Sequence, residues 1–249
     1  MAEEKRLGLI EHLDELRSRL IVALVAILVT TALAYIFSDT LIFILRLPAG
    51  DIKLRAFSPM DGFLIRFRVA VYGGVFLAAP VWIFEVLRFL SPGLLPRERK
   101  FIFPGVVAML GLFALGNVFG YLMLQNMFSV LFTMFGTELE YFPSADQYIS
   151  FVTYFLIATG LAFELPIILL LAIKIGFVSI DQVKRQRRVA YFALFVFAEL
   201  ITPVADPIIA PTVVMIPMLV LFELALFIAR FIAPKPTTAT LPAETNATS

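Results

Sequence analysis

Six long apolar segments dominate this 249-residue chain. A bilayer core of about 30 Å is spanned by roughly 20 apolar residues in helical form. The segments that can serve as such spans are residues 20–37, 69–90, 102–125, 149–173, 189–202 and 208–232. Hydrophobic residues make up 61% of the chain, whereas a soluble domain is about half apolar. We therefore predict an all-α membrane protein with six transmembrane helices that form a single domain over residues 1–233.

The last two spans are the least regular part of this pattern. The fifth, with about 14 residues, covers roughly 21 Å at about 1.5 Å of rise per residue. A helix of this length can span the bilayer only where the bilayer is locally thinner or where the neighbouring segments add to its length. Pro203 and Pro207 flank Asp206 and favour a tight hairpin before the sixth span. Residues 234–249, rich in Thr, Pro and Ala, are predicted to form a disordered cytoplasmic tail.

The distribution of lysine and arginine predicts the orientation of the chain. Fifteen of the 20 basic residues lie in segments 1–19, 88–100, 174–188 and 230–249, and the other five lie between Arg46 and Arg68. Basic residues accumulate on the cytoplasmic side of membrane proteins. Both termini are therefore predicted to be cytoplasmic. Residues 38–68 are predicted to form a loop on the opposite side, in which the apolar residues between Leu41 and Leu47 predict an interfacial helix that is stopped at Pro48.

The composition leaves little room for side-chain chemistry. The chain has no cysteine and a single histidine, His12, which excludes a thiolate metal site and an ordinary catalytic triad. A Gly-rich Walker loop and the HExxH and GxSxG motifs of hydrolases are also missing. A net charge of +1 creates no field that would attract nucleic acid. We predict a protein that is not an enzyme and uses no metal, cofactor or nucleic acid.

Two acids near the predicted cytoplasmic surface are candidate binding groups. Glu15 lies in an amphipathic segment before the first span, and Glu98 lies in a loop that Pro92 and Pro96 stiffen. In the simpler interpretation, Glu15 pairs with Arg19 one helical turn later, which stabilises the helix by about a few tenths of a kcal/mol. Glu98 then pairs with the basic residues around it. In the other interpretation both carboxylates receive a cationic partner. A guanidinium suits them because its planar fork rewards fixed bidentate geometry.

Acids also occur inside the predicted spans, where each costs about 2.5–3.5 kcal/mol at a helix centre and should face protein or water. They are Glu85, Glu164, Glu199 and Glu223. Glu85 has Arg88 three residues later, and we expect these two side chains to pair. Glu223 lies two turns before Arg230 on the same helix face.

Glu164 is the best candidate for a polar site within the membrane. It has no basic residue within a turn, and it precedes Pro166, whose ring opens the helical ladder at residue 162. A buried carboxylate has to be protonated and neutral, paired with another polar group, or hydrated. We predict that Glu164 lies in a hydrated groove open toward the cytoplasmic half, with a partner such as Thr159 or Thr202 as the alternative.

The order of short motifs over about residues 7–233 resembles the TatC family, the polytopic core of the twin-arginine protein translocase. The motifs are HLDELR at 12–17, SPMDGF at 58–63, APV at 79–81, PRERK at 96–100, FELP at 163–166 and LITP at 200–203. The resemblance implies a concave, glove-shaped bundle of six helices in a prokaryotic plasma membrane. It also implies a receptor for Arg-Arg signal peptides that joins TatB-like and TatA-like single-span subunits in a homo-oligomeric complex. Such a complex exports folded precursor proteins and runs on the proton motive force.

Carried over by position, the resemblance assigns residues to two inner sites. Glu15 and Glu98 resemble the acids that receive the two signal arginines, and Arg17 and Phe89 belong to the same signal-peptide site. Glu164 resembles the polar residue in the concave face of the bundle.

Two further residues resemble positions in the outer loops. Pro48 matches the proline of the first outer loop, and Asp206 matches the acid of the last outer hairpin, where partner contacts are expected. The hairpin departs from the family pattern, because it has one extra residue before Asp206, and Ala210 and Pro211 stand where a glutamine is usual. Glu199 in the fifth span is also unexpected.

A second function from another class remains compatible with the residues alone. A proton-coupled secondary transporter of a small solute would use Glu164 and Glu199. Disruption of a translocase subunit would strand folded Arg-Arg precursors in the cytoplasm, whereas disruption of a transporter would abolish uptake of one solute.

Overall fold

The computed structural model of this chain describes residues 2–50, 53–90, 102–134, 144–202 and 209–232. Helices make up most of these ranges, in the order α1 (Ala2–Ile36), α2 (Ser38–Arg46), α3 (Asp61–Leu77), α4 (Ala79–Leu90), α5 (Ile102–Met134), α6 (Ala145–Ala162), α7 (Leu165–Ile175), α8 (Ile180–Arg185), α9 (Arg187–Ile201) and α10 (Ile209–Ile232). A 3-10 turn, Leu47–Ala49, follows α2. The predicted all-α class is confirmed for this part of the chain.

Several of these helices have the length and composition of membrane spans. Within the described ranges, four stretches qualify by themselves: Glu11–Ile36, Ile102–Phe128, Ala145–Ile175 and Pro211–Phe231. α3 and α4 qualify together as a fifth span that is bent by 53°. α9 covers the segment predicted as the short fifth span, but its 15 residues are too few to qualify alone. The structure therefore supports four to five spans, and the count of six remains a prediction.

Two of the predicted spans are broken near the middle, and a proline follows each break. Pro80 lies in the first turn of α4, and Pro166 lies in the first turn of α7. Proline has no amide hydrogen, so the carbonyl four residues earlier loses its helical donor. The predicted opening of the ladder at residue 162 is confirmed, because α6 ends there. At the first break, Trp82 Nε1 of α4 donates to the Val75 carbonyl of α3 at 3.1 Å.

Side-chain hydrogen bonds tie α3 to the middle of the bundle. Arg68 donates to the side chains of Asp146 and Ser150 at the start of α6. One turn further along α3, the Tyr72 hydroxyl donates to Asn117 Oδ1 of α5 at 3.1 Å. These bonds hold the middle of α3 against two other helices.

Pro48 is buried where the turn after α2 packs against α5. As a proline it cannot donate to the Ile44 carbonyl, as a helical residue at that position would. The Tyr121 hydroxyl donates to this carbonyl at 2.8 Å, and the Tyr148 hydroxyl donates to the Leu45 carbonyl at 2.9 Å. The predicted helix before Pro48 is confirmed as a helix. Its end is held by two tyrosines, from α5 and α6, that the sequence did not single out.

Gly74 marks a close approach of α1 to α3. A Cβ atom at this position would lie 2.1 Å from the Oγ1 and 2.8 Å from the Cα of Thr31. We expect Gly74→Ala to push the two helices apart and to lower the free energy of unfolding by about 1–3 kcal/mol, the usual cost of overpacking. Gly111→Ala is the control, since a Cβ there meets nothing within 4 Å and alanine favours the helix. Thermal unfolding in detergent measures both variants, and equal midpoints would contradict the close approach.

Candidate functional site

A charged cluster joins α1 to α4 near the N-terminal end of the chain. α1 packs on both α3 and α4. Arg19 Nη2 lies 3.2 Å from Oε1 of Glu15, one turn earlier on α1. Arg19 Nη1 lies 3.1 Å from Oε2 of Glu85 on α4. One guanidinium therefore bridges two carboxylates on different helices, and the predicted pairing of Glu15 with Arg19 is confirmed.

Glu85 is the member of this cluster whose partner was predicted wrongly. Its ion pair is formed with Arg19 of α1 and not with Arg88, its neighbour on α4. Glu85 lies on the buried face of α4 with 8% of its surface exposed, whereas Arg88 is exposed. The packing of α1 against that buried face decides the pairing, and local spacing does not contain this information.

Two aromatic rings lie beside Glu15. His12 stacks on Phe89 with 4.4 Å between ring centroids and 14° between planes, and His12 Nδ1 lies 3.9 Å from Glu15 Oε2. The structure thus brings Glu15 and Phe89 to one place, with 29% of the Glu15 side chain exposed. Arg17 is exposed on α1. Glu98 lies outside the described residues.

An apolar groove adjoins the charged cluster. It has a volume of about 380 Å³, and Arg19 and Glu85 stand among its lining residues. The rest of its wall comes mainly from aliphatic and aromatic side chains of α1 and α4, among them Leu16, Leu20, Leu24, Trp82, Val86 and Phe89. The site therefore combines a carboxylate bound to a guanidinium with an adjacent apolar surface.

Glu164 is enclosed by protein. It lies at the start of α7, in the break after α6, with 2% of its surface exposed. The open groove predicted around it is therefore wrong for this packing of the helices. Both of its carboxylate oxygens are buried without a hydrogen-bond partner. The alternative partners are also wrong, because Thr159 and Thr202 donate to carbonyls of their own helices.

The last two acids of the predicted spans, Glu199 and Glu223, differ in their surroundings. Glu223 of α10 accepts from Arg187 Nη2 of α9 at 3.0 Å and from the Tyr191 hydroxyl. Glu223 shares one face of its helix with Arg230, but this spacing did not indicate the ion pair with Arg187 of α9. Glu199 of α9 has one carboxylate oxygen buried without a hydrogen-bond partner.

Two predicted positions of the outer loops remain, Pro48 and Asp206. Pro48 is a buried residue of the turn after α2, and Asp206 lies outside the described residues. Among the residues that the structure describes, no three His, Asp or Glu side chains come together in a group suited to a metal ion.

These features define a multi-span, all-helical membrane protein with a guanidinium-binding acid cluster at one end. Residues 11–217 match the family model described as Sec-independent protein translocase protein (TatC). The chain belongs to the TatC family.

Individual relatives support this membership along nearly the whole chain. The TatC protein of Carboxydothermus hydrogenoformans is 32% identical over 236 residues, which cover 94% of this chain and 97% of the relative. The chloroplastic TATC protein of Oryza sativa subsp. japonica is 34% identical over 211 residues, which cover 84% of this chain and 59% of the relative. A crystal structure of the twin-arginine translocase receptor TatC superimposes with a TM-score of 0.76 at 31% identity, covering 89% of this chain and 99% of the other.

Proposed function

We propose that the chain is the receptor for twin-arginine signal peptides and the core subunit of a translocase that exports folded proteins on the proton motive force. Membership of the TatC family supports a role in Sec-independent protein translocation. The observation that carries the receptor role is the Glu15 carboxylate, which already binds an arginine side chain at 3.2 Å. The same geometry suits a guanidinium that arrives from another polypeptide.

The groove beside this acid suits the second part of a signal peptide. Signal peptides place an apolar stretch after a basic segment. With its arginines at Glu15 and at Glu98, a bound peptide would continue into the apolar groove between α1 and α4. Phe89 lines that groove and stacks on His12, so it lies between the charged part and the apolar part of the site.

The assembly and membrane placement follow the same family assignment. We propose six spans, with α9 as the short fifth, both termini in the cytoplasm, and a plasma-membrane location. TatB-like and TatA-like single-span subunits and further copies of the chain would complete the complex. Pro48 and Asp206 keep the roles that the resemblance assigns to the outer loops, and Glu164 acts in transport from its enclosed position in the break between α6 and α7.

Membrane vesicles of both orientations test the receptor role and the placement together. A photocrosslinking residue in place of the exposed Leu13 should capture an Arg-Arg precursor added to inverted vesicles, whose cytoplasmic face is outside. It should capture little of a matched Lys-Lys precursor. The native chain has no cysteine, so a single cysteine at position 249 can report the C-terminus, and an impermeant maleimide should label it in inverted vesicles.

Three results would contradict the proposal. Capture only in right-side-out vesicles would show that the orientation is the reverse of the proposed one. Labelling of the C-terminal cysteine only in right-side-out vesicles, together with capture from position 13 in inverted vesicles, would require an odd number of spans. Equal capture of the Arg-Arg and Lys-Lys precursors would remove the receptor role.

The solute-transporter alternative has no support from the comparisons, which all point to protein translocation. A translocase component has in general a non-catalytic role, and we propose that this chain binds and scaffolds without catalysing a reaction.

A further inference from the structure

Glu85 lies directly beside the proposed arginine site and is more deeply buried than Glu15. We propose that Glu85 is a specificity-determining residue, because it holds the internal arginine Arg19 and thereby keeps Glu15 available for the guanidinium of a signal peptide. This inference rests on the proposed function, since it concerns the site at which Glu15 receives that arginine.

The charges of the three side chains explain why Glu85 matters. Two carboxylates, Glu15 and Glu85, share the single guanidinium of Arg19, so the group has one negative charge in excess. One incoming arginine neutralises this excess. Without Glu85, Arg19 and Glu15 would form a closed and neutral pair, and an incoming arginine would have to compete with Arg19 for the only carboxylate.

Burial decides which of the two internal ion pairs opens. The Glu85 side chain is 10% exposed, whereas the Glu15 side chain is 29% exposed. Ion pairs are stronger and less screened away from water. An incoming arginine therefore displaces Arg19 from Glu15, on the exposed side, and leaves Arg19 bound to Glu85.

The geometry of Arg19 permits this exchange without moving a helix. Arg19 uses a different terminal nitrogen for each carboxylate, Nη2 for Glu15 and Nη1 for Glu85. Its Nε is buried without a hydrogen-bond partner. A small rotation of the guanidinium can therefore release Glu15 while the bond to Glu85 persists.

The test measures binding of a fluorescent synthetic signal peptide that carries an Arg-Arg pair and an apolar stretch to the purified full-length chain in lipid nanodiscs. Glu85→Gln should weaken binding by about three- to tenfold, the range for loss of one partly exposed charge. The double variant Arg19→Gln/Glu85→Gln should bind within about twofold of the wild type, because Glu15 then carries the single excess charge alone. Asp181→Asn, an exposed acid of α8, is the control for loss of a negative charge elsewhere.

The double variant separates this role from a purely structural one. If Glu85 only tied α4 to α1, the tie would be missing in both variants, and both would bind equally weakly. That result, or unchanged binding by Glu85→Gln, would overturn the inference. Glu15→Gln is measured in parallel, and if it binds normally, the proposed arginine site itself is wrong. Weak binding by Glu15→Gln together with failure of the rescue would overturn only the role of Glu85.

Discussion

A variant in which Glu15 and Glu98 are both replaced by glutamine should crosslink to an Arg-Arg precursor only at background level. Each carboxylate is expected to form a charge-assisted hydrogen bond with one signal arginine, and such bonds contribute about 1.5–3 kcal/mol each. Loss of one should weaken binding about tenfold or more, and loss of both should weaken it at least a hundredfold. Crosslinking from position 13 in inverted vesicles, at several precursor concentrations, measures the effect.

Lysine substitution in the precursor gives the matched comparison. A Lys-Lys precursor should bind the wild type weakly, because an ammonium cannot form the bidentate contact of a guanidinium. The double variant should no longer distinguish the two precursors. Full binding of the Arg-Arg precursor by the double variant would show that neither acid reads the signal.

Replacing Glu164 with leucine should stabilise the protein and abolish transport. Both carboxylate oxygens of Glu164 are buried without a hydrogen-bond partner, and such groups cost about 1–3 kcal/mol in a folded protein. Leucine removes this cost, so the midpoint of thermal unfolding should rise. The polar group that the resemblance assigns to the concave face would then be missing when the signal peptide inserts more deeply.

Glu164→Gln keeps the size and polarity of the side chain and removes only its ability to carry a charge. It should leave the chain inserted and should preserve crosslinking from position 13, but lower the export of a folded Arg-Arg precursor. Export at the wild-type rate by Glu164→Leu would show that the acid has no role in transport. A lower unfolding midpoint for that variant would show that the carboxylate has a partner and stabilises the fold.

The sequence predicted the features that depend on composition and on single residues. The apolar segments became helices, and Pro166 ended α6 at the position expected from its missing amide hydrogen. The short helix α2 ends just before Pro48, and Glu15 pairs with Arg19 because residues four apart face each other on a helix. Each of these predictions depends on geometry within one helix.

The features that the sequence did not predict depend on how helices cross. Glu85 pairs with Arg19, 66 residues away, and the burial of Glu164 follows from the helices that surround the break after α6. Tyr121 and Tyr148 reach the carbonyls of α2 across 77 and 103 residues. Such partners are set by the packing of small and large side chains along whole helix faces, as at Gly74 against Thr31.

The break between α3 and α4 has a mechanical consequence. Arg68 and Tyr72 anchor α3 to α6 and α5, whereas α4 carries Glu85 and Phe89 of the proposed arginine site. The two helices meet at a bend where a proline interrupts the helical hydrogen bonds. A change in the tilt of α4 therefore does not require α3 to bend. A peptide bound at the proposed α1–α4 site would therefore move α4, while α3 would keep its position against α5 and α6.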